Sequence, residues 1–164
     1  MSFERDFIRT IQDHTGIING ICKMYFPKCD DLKDARQDII LQLWRSFPTF
    51  RGESKISTWI YRVALNTILT KRKKDYNLGA NEPLSQLHLD HISSGADVSA
   101  DITEEFAWLV STLEDCDRAI IILLAEGYSN KEIAVILDLT ATNISTRLNR
   151  VKHKLKDRYL NEQQ

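Results

Sequence analysis

Two separate runs of basic residues suggest that the chain binds phosphate groups at two places. The first run combines Arg62 with the four consecutive cations at residues 71–74, and the second spans residues 147–158 with Asp157 as its one acid. Acidic residues gather elsewhere, mainly at residues 30–38 and 101–117. A net charge of −1 argues against a general nucleic-acid binder. Segregated basic segments in a nearly neutral chain nevertheless indicate two phosphate-facing surfaces.

The second basic run belongs to a helix-turn-helix pattern that starts at Ser129 and ends near Lys156. A short helix, a tight turn at Asp138 and a longer basic helix are the parts of this motif. Ile144 and Leu148 are expected to anchor the second helix, whose outward residues would then enter the major groove of DNA. Its candidate DNA contacts are Thr142, Asn143, Ser145, Thr146, Arg147 and Arg150. A helical hairpin without DNA-binding function is the alternative.

The usual sequence signatures of an enzyme are not found. The chain has no GxxxxGK[ST] phosphate loop, no HExxH and no GxSxG motif, and its four histidines are scattered. Its three cysteines form no CxxC pair, which predicts reduced cysteines with a packing role. We therefore expect no catalysis, no metal and no cofactor.

Composition is typical of a globular protein, with 43% apolar and 27% charged residues. The longest apolar runs are too short to span a membrane. The N-terminal residues lack the apolar core of a signal peptide, so a cytoplasmic location is expected.

Apolar residues at helical spacing predict three helical segments in the first part of the chain. Residues 3–26 form one helix or a pair, residues 32–47 form a second with Asp30 or Asp31 as its cap, and a third runs from Ser57 or Thr58 to Lys73. Residues rich in Asn, Gly and Ser follow and predict a linker.

The remaining residues predict four more helices, of which Ser129 to Glu132 opens the third with a capping box. The predicted fold class is therefore all-α, with two small helical domains joined by a flexible linker and a helix-turn-helix in the second. The predicted boundaries are residues 1–75, the linker 76–102, and residues 103–164.

The run from Phe50 to Asn66, FRGESKISTWIYRVALN, resembles the promoter-melting segment of extracytoplasmic-function (ECF) sigma factors of the sigma-70 family. The acidic helix that ends in Leu43-Trp44 is similar to the preceding helix of that family. Residues 118–155, with the core GYSNKEIA, resemble its second conserved domain. This resemblance implies a bacterial RNA polymerase sigma factor that recognises −10 and −35 promoter elements.

The resemblance also implies roles for individual residues. The first domain would hold the non-template strand of the −10 element, where flipped bases need aromatic faces and polar groups. The candidates for this strand are Lys55, Ser57, Thr58, Trp59, Arg62, Asn66, Lys71, Arg72 and Lys73. For Trp59, a role in the core of its own helix is an equally good interpretation.

Core RNA polymerase and promoter DNA are the implied partners, with an anti-sigma factor as a further one and no membrane insertion. The candidates for polymerase binding are Asp34, Gln37, Asp38, Gln42 and Trp44. The sequence departs from the family where Asp138 replaces a common turn Gly and where Leu65 and Ser145 replace frequent basic residues. Aspartate tolerates a left-handed backbone, so the turn is expected to form.

Two other functions compete with this one. A DNA-binding regulator that is not a sigma factor would use the helix-turn-helix but leaves the Phe50 to Asn66 segment unexplained. An enzyme is the third hypothesis, and no motif supports it.

Overall fold

A computed structural model describes residues 2–77 and 104–162, and every element in these two ranges is a helix. This confirms the all-α prediction. The predicted linker, residues 76–102, lies outside the described residues except for Tyr76 and Asn77, which end a helix. The helices are α1 (Phe3–Asp13), α2 (Thr15–Tyr25), α3 (Cys29–Ser46), α4 (Ile56–Asn77), α5 (Glu104–Ser111), α6 (Asp115–Ala125), α7 (Asn130–Leu137) and α8 (Ala141–Glu162), with a 3-10 turn at Phe47–Thr49.

The helices form two units, the first in residues 2–77 and the second in residues 104–162. In the first unit, α2, α3 and α4 pack against one another. Their contact is formed by fully buried apolar side chains, among them Ile21, Ile39 and Ile60. Residues 3–26 form a pair of helices with a break at His14, and Gly16 and Gly20 lie inside the second of them.

The predicted start of α3 was wrong. The helix begins at Cys29, three residues earlier than expected, with Lys28 in the capping position and no side-chain cap. Asp30 and Asp31 instead lie in the first turn, where their charges favour the positive end of the helix dipole.

The second unit contains the predicted helix-turn-helix as α7, a turn and α8. The capping box is confirmed, because the Ser129 hydroxyl accepts a hydrogen bond from the Glu132 backbone N–H and the Glu132 carboxylate accepts one from the Ser129 N–H. Asp138 adopts the left-handed conformation with φ 55°, and the next N–H, of Leu139, donates to the Ala134 carbonyl. The turn expected at Asp138 therefore forms without glycine.

The two units pack against each other, which the sequence analysis did not predict. Buried residues of both units form one continuous hydrophobic cluster, in which α4 contacts α6 and α7. Gly127 adopts φ 92° after α6, and the following N–H, of Tyr128, donates to the Leu123 carbonyl. The Tyr128 ring then meets Tyr61 edge-on at 5.8 Å between centroids, and its hydroxyl is 3.2 Å from the Thr58 hydroxyl.

A polar network completes this interface at the C-terminal end of α2. The Tyr25 hydroxyl donates to the Asp115 carbonyl at 2.7 Å. Arg72 donates to the Asp115 carboxylate at 2.7 Å and to the Tyr25 carbonyl at 3.1 Å. The network therefore links α2 and α4 of the first unit to the start of α6 in the second.

Arg118 lies at the centre of the interface and is only 2% exposed. Its guanidinium donates to the carbonyls of Val110, Ser111 and Leu113 in its own unit, and to the Met24 carbonyl in the other. The last carbonyls of a helix have no partner within that helix. One side chain thus supplies donors to the ends of both α5 and α2.

We expect Arg118→Met to lower the free energy of unfolding by about 2–4 kcal/mol, because it removes four hydrogen bonds to carbonyls that are buried or partly buried. Urea denaturation followed by circular dichroism measures this change. Arg9→Met is the matched control, since Arg9 is exposed on α1. Equal stability of the two variants would contradict the assigned role of Arg118.

Candidate nucleic-acid interfaces

The first candidate surface is an open groove of about 1080 Å³ between α3 and α4, closed at one end by the loop that joins them. Four of the residues predicted to bind the −10 strand line it: Trp59, Arg62, Asn66 and Lys71. Trp59, Arg62 and Asn66 follow one another at intervals of three and four residues, so they share one side of α4, and Lys71 reaches the groove further along the helix. The groove therefore presents an aromatic face, an amide and two cations together.

Trp59 packs within the first unit and also lines the groove. The ring is partly buried and packs against Phe47 at 6.1 Å and Phe50 at 5.1 Å between centroids. It also lines the groove. The packing fixes the orientation of the indole, and its remaining face can stack with a base.

One cation of the groove is paired with an acidic residue that also lines the groove. Lys71 donates to the Asp38 carboxylate at 2.6 Å across the groove. This hydrogen bond raises the pKa of Lys71, so the ammonium is charged at neutral pH. Arg62 is exposed and also lines the groove, where it can contact phosphate.

The other residues predicted for the −10 strand lie elsewhere. Arg72 and Thr58 take part in the interface between the two units. Ser57 is partly buried, whereas Lys55 and Lys73 are exposed, and none of the three lines the groove. The groove also includes Lys74, the last cation of the first basic run.

The residues predicted to bind polymerase lie on the solvent-facing half of α3, but they fall into two groups. Asp38 and Gln42 line the groove, while Asp34 and Gln37 are exposed outside it. Trp44 is 38% exposed and packs edge-on against Phe7 at 5.0 Å. Sequence reasoning missed Leu41, which is 45% exposed on the same side of α3. Leu41 lies outside the apolar stripe predicted for this helix, and that position in the sequence already indicates an exposed apolar side chain.

The second candidate surface is the N-terminal half of α8. Thr142, Asn143, Ser145 and Thr146 are exposed, as expected for residues that contact DNA. Arg147 is different, because its guanidinium donates to the carboxylate of Asp117 at 2.9 Å and to the side-chain oxygen of Asn143 at 2.9 Å. Arg150 lies 3.5 Å from the same carboxylate. Asp117, Arg118 and Tyr128 were not predicted, because their roles depend on contacts between distant segments.

The described part of the chain contains no cluster of three or more His, Cys, Asp or Glu side chains that could bind a metal. Cys22, Cys29 and Cys116 are free thiols, and burial raises the pKa of Cys22 to about 11. Among the described helices, none is long and apolar enough to cross a membrane.

Models of two protein families match the chain, one on each unit. Sigma-70 region 2 matches residues 10–76, and Sigma-70 region 4 matches residues 105–155. Together these matches account for most of the chain, in the order in which the two units occur.

Curated relatives match over both units. The ECF RNA polymerase sigma-E factor of Haemophilus influenzae is 26% identical over 153 residues, which are 86% of this chain and 80% of that protein. The sigma-E factor of Escherichia coli K12 is 24% identical over 150 residues, which are 84% of this chain and 78% of that protein.

Two solved structures share the fold. The sigma factor RpoE of Bartonella quintana, in complex with the anti-sigma factor NepR, superposes with a TM-score of 0.71 at 20% identity, over 93% of this chain and 96% of that one. CnrH, in complex with the cytosolic domain of CnrY, gives a TM-score of 0.61 at 18% identity, over 95% and 88% of the two chains.

The Lys71–Asp38 pair yields a prediction for the groove. Asp38→Asn should increase affinity for single-stranded oligonucleotides severalfold at low salt, because it removes a carboxylate and frees an ammonium for phosphate. The side chains of Lys71 and Asp38 are 29% and 48% exposed, so the stability of the fold should change by less than about 1 kcal/mol. Fluorescence anisotropy of labelled oligothymidine measures the affinity.

Asp34→Asn is the matched control, since it removes the same charge from an exposed position one turn earlier on α3. Equal gains in affinity for the two variants would show that net charge, and not the pair in the groove, is responsible.

Proposed function

The chain belongs to the sigma-70 family, in its ECF group, and on that basis we propose that it binds core RNA polymerase and directs it to promoters. It is a promoter-recognising sigma factor, that is, a transcription initiation factor that acts by binding polymerase and promoter DNA. We propose no catalytic step for it, and we place it in the cytoplasm, where polymerase and promoter DNA meet.

One observation supports this function above others: two different candidate DNA surfaces lie on one chain. The groove between α3 and α4 suits a separated strand, because it combines the Trp59 ring with the cations of Arg62 and Lys71. The exposed start of α8 suits duplex DNA, as in other helix-turn-helix proteins. A promoter that is melted at one element and double-stranded at the other needs both.

We propose corresponding roles for the two units. The first, residues 1–75, would bind polymerase through the exposed side of α3 and hold the non-template strand of the −10 element in the groove. The second, residues 103–164, would bind the −35 element through α8. Residues 76–102 would connect them.

An anti-sigma factor is a further proposed partner. The support is that the matching RpoE structure contains one. Such a protein would regulate the chain by covering its polymerase-binding or DNA-binding surfaces.

The compact arrangement cannot span a promoter. Elements centred at −35 and −10 are about 25 base pairs apart, or about 85 Å at 3.4 Å per base pair. A compact chain of 164 residues has a radius of gyration of about 15 Å, hence a diameter of about 40 Å. The 26 residues between α4 and α5 can reach about 90 Å when extended. We therefore propose that the two units separate when polymerase and promoter bind.

The alternative function is that of a DNA-binding regulator that does not act as a sigma factor. The second unit alone would serve that role, and the groove would then have no function. Polymerase binding distinguishes the two, because only a sigma factor forms a stable complex with core enzyme and starts transcription at defined sites.

The decisive test is transcription from genomic DNA by core polymerase with and without the purified chain, followed by start-site mapping. We expect a stable complex and new start sites that share two sequence elements.

With Trp59→Ala, polymerase binding should persist while strand opening, measured by permanganate reactivity, falls because a stacked base loses about 1–3 kcal/mol. Tyr76→Ala, at an exposed aromatic outside the groove, is the matched control. Absence of any complex with core enzyme would refute the proposal.

Separation of the units gives a second prediction. Asp115→Arg places a third cation beside Arg72 and Arg118, so it should open the free protein. We expect small-angle scattering to give a radius of gyration clearly above about 15 Å, with unchanged helix content by circular dichroism. Glu114→Arg, the same charge change one residue earlier at an exposed position, should leave the protein compact. An unchanged radius for Asp115→Arg would contradict the role of this network.

A further inference from the structure

A buried carboxylate lies behind the start of the proposed recognition helix. Asp117 is 0% exposed in the first turn of α6, and its Oδ1 accepts a hydrogen bond from Arg147 at 2.9 Å. Its Oδ2 accepts no hydrogen bond from the described residues, and the Arg150 guanidinium lies 3.5 Å away. One buried negative charge therefore faces two arginines of α8.

Arg147 is engaged on two sides. Its Nη1 donates to Asp117 and its Nε donates to the side-chain oxygen of Asn143, and the hydrogen bond to Asp117 raises the pKa of Arg147. Specific binding of guanine by arginine uses two parallel N–H groups from one edge of the guanidinium. The edge that contains Nε becomes available only when Asn143 is released, and the edge formed by Nη1 and Nη2 shares Nη1 with Asp117.

Release from Asp117 is limited by the burial of the carboxylate. A buried charge that loses its partner is strongly unfavourable. Arg150 is already close to Oδ2, and its side chain is 51% exposed, so it has room to move. It can replace Arg147 at Asp117, but both arginines cannot leave together at low cost.

We propose that Asp117 is a positioning residue that sets sequence discrimination at the −35 element, an inference that rests on the function proposed above. By holding Arg147 and Arg150 against one charge, it allows Arg147 to leave only for an acceptor as good as a guanine edge. A base that offers only one, poorly aligned acceptor then does not compete. Without this carboxylate, Arg147 would bind DNA with less regard for sequence.

The test uses holoenzyme made from the full chain and core polymerase, with a mapped promoter whose −35 positions are randomised. Transcript sequencing gives the preference at each position. We expect Asp117→Asn to reduce the preference at one or two positions at least about fivefold, the lower end of what one bidentate base contact provides. Transcription from disfavoured sequences should rise.

Two further variants separate positioning from stability and from charge. Asp157→Asn makes the same charge change at an exposed site on α8 and should leave the preferences unchanged. In an Arg147→Ala background, Asp117→Asn should have no further effect on those positions, because Asp117 acts through Arg147. An equal loss of transcription from all sequences, or an unchanged pattern, would overturn the proposal.

If Asp117→Asn does not fold, Asp117→Glu serves in its place, because it keeps the buried charge but displaces the carboxylate from Arg147 by one methylene group. A reduced preference at one or two −35 positions supports the proposal, and an unchanged pattern overturns it. Failure of the wild-type holoenzyme to start transcription anywhere refutes the proposed function itself. Wild-type activity with an unchanged Asp117→Asn pattern refutes only the role of Asp117.

Discussion

The rest of the structure depends on the burial of one guanidinium, that of Arg118. Burial disfavours its charged form and lowers its pKa, but arginine starts from so high a value that it remains a cation at neutral pH. Its acceptors are backbone carbonyls near the ends of α5 and α2, together with the Tyr25 ring 5.0 Å away. These groups carry partial negative charge that helix ends leave unpaired. The cation is thus satisfied without a carboxylate, and it fixes where two helices end and where the units meet.

Charge compensation limits how strongly the free chain can bind DNA. The groove places Asp38 beside Lys71, and Asp117 lies beside Arg147 and Arg150. With a net charge of −1, little long-range attraction remains for DNA. Attachment to polymerase would supply the missing affinity, because it converts promoter binding into an intramolecular step at high effective concentration. These ion pairs weaken nonspecific binding by the free chain, so DNA binding comes to depend on attachment to polymerase.

Local chemistry explains which features the sequence could predict. The capping box at Ser129 and the turn at Asp138 involve residues within a few positions of each other, so their types predict their geometry. The side of α4 that carries Trp59, Arg62 and Asn66 follows from helical spacing.

Asp117 and Arg118 differ, because neighbouring charges in a helical sequence normally face water. Their burial depends on α2, α5 and α8, which approach them only after the chain has folded. For the same reason, the sequence does not reveal that Arg72 and Thr58 take part in the interface.

The position of Arg118 also explains how the units can separate without unfolding. Three of its hydrogen-bond acceptors, at Val110, Ser111 and Leu113, belong to the second unit, and only Met24 belongs to the first. Opening therefore costs this side chain one hydrogen bond of four, and water can replace it. The polar contacts of Tyr25 and Thr58 across the interface are likewise replaceable by water, at a net cost of about 0.5–1.5 kcal/mol each, and the Arg72–Asp115 pair at about 1.5–3 kcal/mol. Opening also exposes the part of the hydrophobic cluster that the two units share. Polymerase and DNA can shift such an equilibrium by as much as their affinity for the open form exceeds that for the closed form. A compact free protein and an extended bound one are thus compatible with the same two folded units.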